Sequence, residues 1–530
     1  LKIARSGPLS ARDRITHILL LAAWCAVVLL LAFRHAFWRD EIRAFNIALA
    51  GDGVPGMLRG LHGEGHPALW YLLLRGAHAF VPVREVLPAV AFLVAAAAMA
   101  LLVFRSPFRP AIVALILFGA FGMYEYAVVA RNYGISMLVL FALAALYPRW
   151  RDRGIVIGLV LALLCNTNVP SALLAATFLL FWLIELVGEE GLGWSRKKGL
   201  FLLNAAVAAA GALVCFLTVY PTVHDAAVIQ FRGGITPAVV WSAISTPAYS
   251  FWALMPPYIR ATPAAAAILG VFVFGSMLGL LRAPAAFLSA LAAFLGFELF
   301  FQLIYPGYYR HEALFLVYFV ILYWLVAEGR GGRWPQGWRV EARLGRVADI
   351  GTILFLGLLA IQVLSGAGLL AADLSGIPYS RSRDLAALLK REHLDDALVI
   401  ADPDMFLEPL SYYAPNPIYL MRTQSFSRVV PFTRHARLDL SLDDYLRDAR
   451  ALQARSGKPV VILFQRRIGP RTPAFRIREV HIWSFSGTPE QVGRFQAATR
   501  RLARFGLAIT DESYDVYLLN PPPPPAPAGR

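Results

Sequence analysis

The chain has 530 residues, of which 58% are hydrophobic and only 16% charged, against roughly 45–50% and about 25% in soluble domains. Residues 371–530 hold 39 of the 84 charged side chains, and residues 1–370 are left with about one charge in eight positions, which excludes a water-soluble fold for that part. The formal charge of +16 does not call for a nucleic acid, because most basic residues of the first part sit in short loops between apolar runs, where they set topology.

Lys2, Arg5, Arg12 and Arg14 precede an apolar run from Ile15 to Phe33. No small-residue cleavage site accompanies it, so it reads as an uncleaved first span. Further runs long enough to cross a bilayer, or nearly so, fall at 86–104, 110–129, 132–148, 154–166, 168–187, 199–219, 263–281, 284–304, 311–327 and 348–370, making eleven with the first. The run 67–80 is about 14 residues long and carries Arg75 and His78. It is too short and too charged for a span.

The positive-inside rule settles the sides. With a cytoplasmic N-terminus and 67–80 not crossing, the inner segments collect 18 Lys/Arg, including Arg149, Arg151, Arg153, Arg196, Lys197, Lys198 and Arg339. The outer ones hold ten: Arg34, Arg39, Arg43, Arg59, Arg75, Arg84, Arg131, Arg232, Arg260 and Arg310. Letting 67–80 cross would reverse the bias. It is therefore read as a helix along the outer interface, with Trp70 and Tyr71 at headgroup depth. The outer face then carries 34–85, the turn Ala130–Tyr133, Tyr305–Arg310, the loop 220–262 and the domain 371–530.

The expected organisation is a transmembrane domain over 1–370, a periplasmic α/β domain over 371–520 and a disordered proline-rich tail over 521–530. Within the α/β domain, patterning predicts helices at 381–391, 404–413, 442–454 and 488–504. Strands are predicted at Leu398–Ala401, Ile418–Leu420, Val460–Phe464, Val480–Phe485 and Tyr514–Leu519. The three cysteines, Cys25, Cys165 and Cys215, all lie in apolar runs with no metal or disulfide spacing.

Only 17 of the acidic residues fall in the first 370 positions, and seven of them gather at the outer face: Asp40, Glu41, Asp52, Glu64, Glu85, Glu125 and Glu312. Acids beside a bilayer are costly, so the grouping needs a cause. In Phe37-Trp38-Arg39-Asp40-Glu41-Ile42-Arg43, adjacent carboxylates between two arginines can take a proton from a hydroxyl or hold a divalent cation. An interfacial salt-bridge cluster would use the same residues. His62-Gly63-Glu64-Gly65-His66-Pro67 offers polar contacts, a metal site, or simply a turn. Arg131, in Ala130-Arg131-Asn132-Tyr133, suits a phosphate, or it snorkels to headgroups. Tyr305-Pro306-Gly307-Tyr308-Tyr309-Arg310-His311 completes a phosphate clamp or forms an aromatic belt. Asn166-Thr167-Asn168 lines a cavity or caps a helix. Asp404, in Asp402-Pro403-Asp404, reads as a helix cap. No Walker loop, GxGxxG after a strand, HExxH or GxSxG is present, so no nucleotide cofactor is expected.

Through Trp38-Arg39-Asp40-Glu41-Ile42-Arg43, Gly65-His66-Pro67-Ala68-Leu69-Trp70-Tyr71 and Ala130-Arg131-Asn132-Tyr133-Gly134, the sequence resembles the GT-C glycosyltransferases that use polyprenyl-phosphate sugars. The similarity is greatest to the bacterial protein mannosyltransferases and the lipid A aminoarabinose transferases, and it runs over about 320 residues to Tyr309-Arg310-His311. It implies a GT-C-like polytopic helical membrane protein of the bacterial inner membrane with a C-terminal α/β domain. The implied activity is inverting transfer of a hexose or pentose from a polyprenyl-phosphate carrier to an envelope glycolipid, glycan or protein at the periplasmic face. Asp40 and Glu41 match the catalytic acidic motif. His66, Arg131, Arg310 and His311 match donor-phosphate positions, and Arg43, Glu64, Tyr133 and Tyr309 are substrate-binding candidates. A Mg or Mn ion is left open, with Asp40, Glu41 and Glu125 as candidate ligands. The second outer loop departs from the family in carrying Glu125 with no clear Asp, and Ala68 stands where many relatives have a second proline. Two other readings compete: a lipid-linked sugar transporter or flippase, and a ligase or polymerase with a lipid-diphosphate donor. A transporter predicts midplane charges and internal repeats, and the sequence shows neither.

Overall fold

A backbone crossing hydrocarbon must satisfy its own polar groups, which leaves the helix as the natural spanning element for such apolar runs. The computed structural model describes residues 3–5, 10–61, 64–220, 236–245, 251–256, 258–334, 341–478 and 483–521. Lys2, His62, Arg232, Arg339, residues 480–482 of one expected strand and the tail from 522 lie outside the described residues. Two compact units emerge, one formed chiefly by Leu1–Phe33, Glu64–Tyr220 and Gln230–Ala371, the other by Arg34–Gly63 with Ala372–Arg530.

In the first unit, among the described residues, eight helices are long and apolar enough to cross a membrane: Ala11–Arg34, Val86–Arg105, Tyr133–Trp150, Val169–Glu190, Arg196–Val219, Pro284–Leu303, Tyr309–Ala327 and Leu344–Leu374. Each answers to an expected span. The other three runs differ. Val156–Cys165 has 10 residues and Pro263–Leu278 has 16, shorter than the ~20 that cross about 30 Å of hydrocarbon. Run 110–129 breaks after Pro110–Leu117 into a π-helical turn, Phe121–Glu125. Gly122 permits the break, since a Cβ there would meet the Ile116 carbonyl oxygen at 2.4 Å. The Trp24 indole N–H donates to the Gly122 carbonyl at 3.1 Å, so the turn finds a partner inside the protein. Leu69–Phe80 is a 12-residue helix that buries Trp70, Tyr71 and Leu74 and is too short to cross.

Close approach in this unit relies on small residues. Val156–Cys165 packs against Arg196–Val219, and a Cβ at Gly211 would sit 2.5 Å from the Ala162 Cα. Asn204 accepts from the Gly158 N–H at 2.7 Å across the same contact. Tyr309–Ala327 is the inner helix, with every residue from His311 to Leu325 buried. At the far end of two spans, buried Glu185 accepts from Arg151 at 2.6 Å, from the Tyr147 hydroxyl at 2.6 Å and from the Gly331 N–H at 2.8 Å.

The second unit contains an α/β domain whose described strands are β1 (Leu398–Asp402), β2 (Tyr419–Leu420), β3 (Ser425–Phe426), β4 (Asp439–Ser441), β5 (Val460–Phe464), β6 (Phe475–Arg478), β7 (Ser484–Gly487), β8 (Thr499–Arg504) and β9 (Asp515–Leu519). They form a four-stranded sheet ordered β1-β5-β9-β8, a two-stranded one, β2-β3, and a three-stranded one, β4-β7-β6. β1 and β5 pair in parallel, and β9 runs antiparallel to both β5 and β8. One sheet face packs Val399, Ala401, Val461 and Leu463 against Leu385, Leu388 and Leu389 of helix Ser382–Arg391. The other packs Ile400, Ile462 and Phe464 against Tyr445, Ala449 and Leu452 of helix Leu442–Ser456. Burial on both faces explains why β1 and β5 are unbroken apolar runs.

Three sequence expectations for this domain are corrected. The helix over 404–413 is a 3-10 turn, Asp404–Leu407, and a separate turn, Leu410–Tyr413, parted at Pro409. Asp404 is no helix cap; its carboxylate accepts from the Met421 and Arg422 N–H groups at 2.9 and 3.0 Å. The helix over 488–504 stops at Ala498, and the chain continues as edge strand β8. Pairing with β9 overrides helix propensity there, and the exposed arginines at 500, 501 and 504 keep the free edge from pairing further.

Breaking one partner of a buried ion pair strands the other in low dielectric. Glu185→Leu should therefore destabilise the protein by about 3 kcal/mol or more, read as a lowered midpoint in thermal unfolding of detergent-solubilised protein. Burial pushes the Asp404 carboxyl up to about 7, against the pull of the two amides and Arg422. A group raised on folding stabilises below its unfolded pKa and loses that contribution as pH rises through the folded one. The α/β domain should accordingly become easier to unfold as pH rises from about 4 to about 7, with no further loss from this group above that, measured by hydrogen exchange of β1 and β5.

Candidate active-site elements

In the first unit, three sequence-distant segments meet at the starts of two helices. Arg131 lies just ahead of Tyr133–Trp150, is 8% exposed, and donates from Nη2 to the His66 Nε2 at 2.8 Å. A guanidinium cannot accept, so His66 Nε2 carries the lone pair and the imidazole is held neutral with its proton on Nδ1. Pro67 follows, and His66 thus sits at the entry of helix Leu69–Phe80.

Tyr309–Ala327 begins beside Tyr133. His311 Nε2 lies 2.9 Å from the Tyr133 hydroxyl, while the Tyr308 N–H donates to His311 Nδ1 at 3.2 Å. Nδ1 is the acceptor, so Nε2–H donates to the tyrosine. His311 is thereby a neutral strut between two helix starts. The expected cationic pair at 310–311 reduces to Arg310 alone, whose half-buried guanidinium stacks over Tyr308 at 5.6 Å. The Tyr126 hydroxyl donates to the Arg310 carbonyl at 2.6 Å, and the Tyr126 ring stacks on Tyr133 at 5.9 Å. The Tyr309 hydroxyl donates to Gln362 at 2.7 Å, which directs it into the protein. Glu64 is half-buried, and Glu125 closes the π-helical turn at 9% exposure.

Chemically, this corner suits an anion. Two helix N-termini bring the positive ends of their dipoles together, and Arg131 and Arg310 add two full charges beside them. Asn166, Thr167 and Asn168 form a turn and cap. Asn168 accepts from the Ser171 N–H at 2.9 Å, and Asn132 donates to the Thr167 carbonyl at 2.6 Å.

In the second unit, helix Arg39–Leu49 carries the acidic pair, and the two acids have different surroundings. Glu41 is fully buried, 2.9 Å from His35 Nε2 and accepting from the Trp38 N–H at 2.9 Å. It holds the first turn of its helix. The Asp40 side chain is 28% exposed, with Arg39 Nε at 4.0 Å. Burial works against the Arg39 charge, but Asp511, Asp40 and Glu512 more than offset it and push its pKa above the ordinary arginine value. Arg43 donates to Glu408 at 2.6 Å and to the Val430 carbonyl at 2.8 Å. That side chain is engaged by its own unit.

Among the described residues, no three His, Cys, Asp or Glu side chains converge as a metal-ligand group. Glu41 is engaged by His35 and by the Trp38 N–H at its own helix start. His35 and Gln362 were not singled out from sequence. His35, six residues ahead of its partner Glu41, offered the one local signal; Gln362 makes its contact with Tyr309 across 53 residues.

No protein-family model matches the chain, and no curated protein sequence matches it. Solved structures similar to the chain include two of ArnT from Cupriavidus metallidurans. In the apo state the TM-score is 0.50 at 14% identity, covering 94% of this chain and 97% of that one. For ArnT bound to undecaprenyl phosphate the TM-score is 0.46 at 12% identity, with the same coverage. The likeness to the apo structure is one of fold, and the chain has the polytopic helical build expected from its sequence, with eight helices among the described residues long and apolar enough to cross a membrane.

Proposed function

We propose that the chain is an inverting glycosyltransferase that moves one sugar from a polyprenyl phosphate, such as undecaprenyl phosphate, to a hydroxyl of an envelope glycolipid, glycan or protein on the periplasmic face of the inner membrane. The observation that carries this reading is the paired helix N-termini flanked by Arg131 and Arg310, with His66 held at 2.8 Å from Arg131. Such a corner fits a phosphodiester donor that gains charge as its bond to the sugar breaks and it leaves as a phosphate monoester. The fold shared with ArnT supports the same class.

In the proposed reaction, the Asp40 carboxylate takes the proton of the acceptor hydroxyl. The oxygen attacks the anomeric carbon from the face opposite the phosphate. The carbon–oxygen bond to phosphate breaks, its electron pair leaves with the polyprenyl phosphate, and the anomeric configuration inverts. Arg131 and Arg310 hold the departing phosphate, and the two helix dipoles add to them. Glu41 keeps the first turn of the Asp40 helix in shape.

Asp40→Asn keeps shape and loses the base. Transfer should fall by about 10²-fold or more, while thermal stabilisation by a polyprenyl-phosphate sugar stays as in wild type. Arg131→Ala should weaken donor binding by about tenfold or more, the scale of one charge-assisted hydrogen bond, read as a rise in donor Kd in nanodiscs. The founding test incubates the wild-type protein with a panel of polyprenyl-phosphate sugars and an envelope extract. No stabilisation and no consumption of any donor would overturn the reading.

A further inference from the structure

Helix Arg39–Leu49 is 11 residues long, short of the roughly 12–15 that hold a helix on their own. Its N-cap residue is Trp38, whose indole has no oxygen to accept the first N–H groups. The acceptor arrives from far along the chain: the Arg39 N–H donates to Glu512 Oε1 at 2.9 Å, across 473 residues. Glu512 is buried, takes the Ser380 hydroxyl on its other oxygen, and presents an acid to the positive end of the helix dipole. The Arg39 side chain adds a two-pronged contact to Asp511 at 2.6 and 3.1 Å.

The same helix face is gripped further on. Arg43, four residues after Arg39, meets Glu408 at 2.6 Å and lies over the Phe432 ring at 4.8 Å. Asn46 donates to Ser411 at 2.9 Å. Positions 39, 43 and 46 form one stripe of the helix. Upstream, the Phe37 N–H donates to the Tyr413 hydroxyl at 2.7 Å, and Ser382 donates to the Phe37 carbonyl at 2.9 Å. Asp40 sits one residue from the stripe, about 100° around the helix.

We propose that the α/β domain is the seat that positions Asp40, with Glu512 as the anchor of the helix start and Glu408, Ser411 and Tyr413 as supporting contacts. Its catalytic meaning rests on the transferase reading above. These are positioning residues: they act on Asp40 through the backbone it stands on. A reacting carboxylate displaced by about 1 Å costs on the order of 10²-fold in rate, so a short helix held at its start from within by Glu41 on the Trp38 N–H gains most from a rigid mount. Acceptor docking and simple stability are the two other roles such a domain could have, and each predicts a different pattern.

The experiment uses full-length protein in nanodiscs, with Glu512→Ala, Glu512→Gln and Tyr413→Phe. Glu512→Ala is expected to lower kcat by about tenfold or more, with donor and acceptor KM within about twofold. Glu512→Gln keeps a carbonyl for the Arg39 N–H and should recover most of the rate. Hydrogen exchange of residues 36–50 should quicken by about tenfold in Glu512→Ala, with β1, β5 and β9 protected as in wild type. Tyr413→Phe removes one bond and little packing. It should lower kcat about threefold with exchange quickened at 36–39, and it decides the matter if Glu512→Ala does not fold. An unchanged kcat, or a rise in acceptor KM alone, would overturn the seat and make the domain an acceptor dock. Loss of β-strand protection in proportion would reduce it to general stability. If the wild type transfers no sugar, the transferase reading falls by itself. Exchange at 36–50 still judges the seat, and unchanged exchange there refutes it.

Discussion

Hydrocarbon supplies no hydrogen bonds, and most of the first unit follows from that. A polar group at membrane depth must find its partner inside the protein or not be there. The break in run 110–129 exists because Trp24 reaches Gly122 and Gly122 lacks a Cβ. Arg151 is tolerated among apolar helices because Glu185 and Glu189 meet it. The same rule shapes the anion corner. His66, Tyr133 and His311 each hold a bonded partner within the unit, so the histidines serve as fixed dipoles and leave the charge to Arg131 and Arg310. Charge is thereby concentrated on side chains that stay protonated at any relevant pH.

The second unit works under the opposite constraint. Water surrounds its surface, so a lone short helix there would fray, and holding a carboxylate still demands added contacts. The α/β sheet provides a stiff frame with both faces buried, and the turns at its strand ends, around 408–413 and 511–512, are where Arg39 and Arg43 attach. Burial pushes the Glu512 carboxyl up to about 8, with Arg39 pulling the other way. Even a protonated carboxyl retains an oxygen for the Arg39 N–H, so this attachment does not hinge on a free charge.

Much of this was legible in the sequence, for identifiable reasons. Spans announce themselves by length and apolarity, and eight of the expected runs are continuous helices. Charge arithmetic argued against a span over 67–80, where hydropathy alone is ambiguous for a run with Arg75 and His78, and a 12-residue helix too short to cross stands there. Arg131 and His66 were singled out separately, and the structure joins them at 2.8 Å. What was not legible depends on tertiary pairing. β8 reads as the end of a helix until β9 lies beside it, and the split of 404–413 depends on amides at 421 and 422. Glu512 lies in an unremarkable Asp-Glu pair whose partner is 473 residues away. No periodicity can report a contact of that separation.

The two adjacent acids show how the pieces combine. In sequence, Asp40 and Glu41 are equivalent members of one motif. In a helix, neighbours point about 100° apart, so only one of them can face the packed interior. Glu41 does, and is spent on His35 and the Trp38 amide. Asp40 is left with the partial exposure that a proton-accepting group needs. Which acid is which is therefore decided by the orientation of the helix. Arg39, Arg43 and Asn46 fix that orientation, so which of the two carboxylates stays exposed is encoded as much near residues 408 and 512 as in the motif itself.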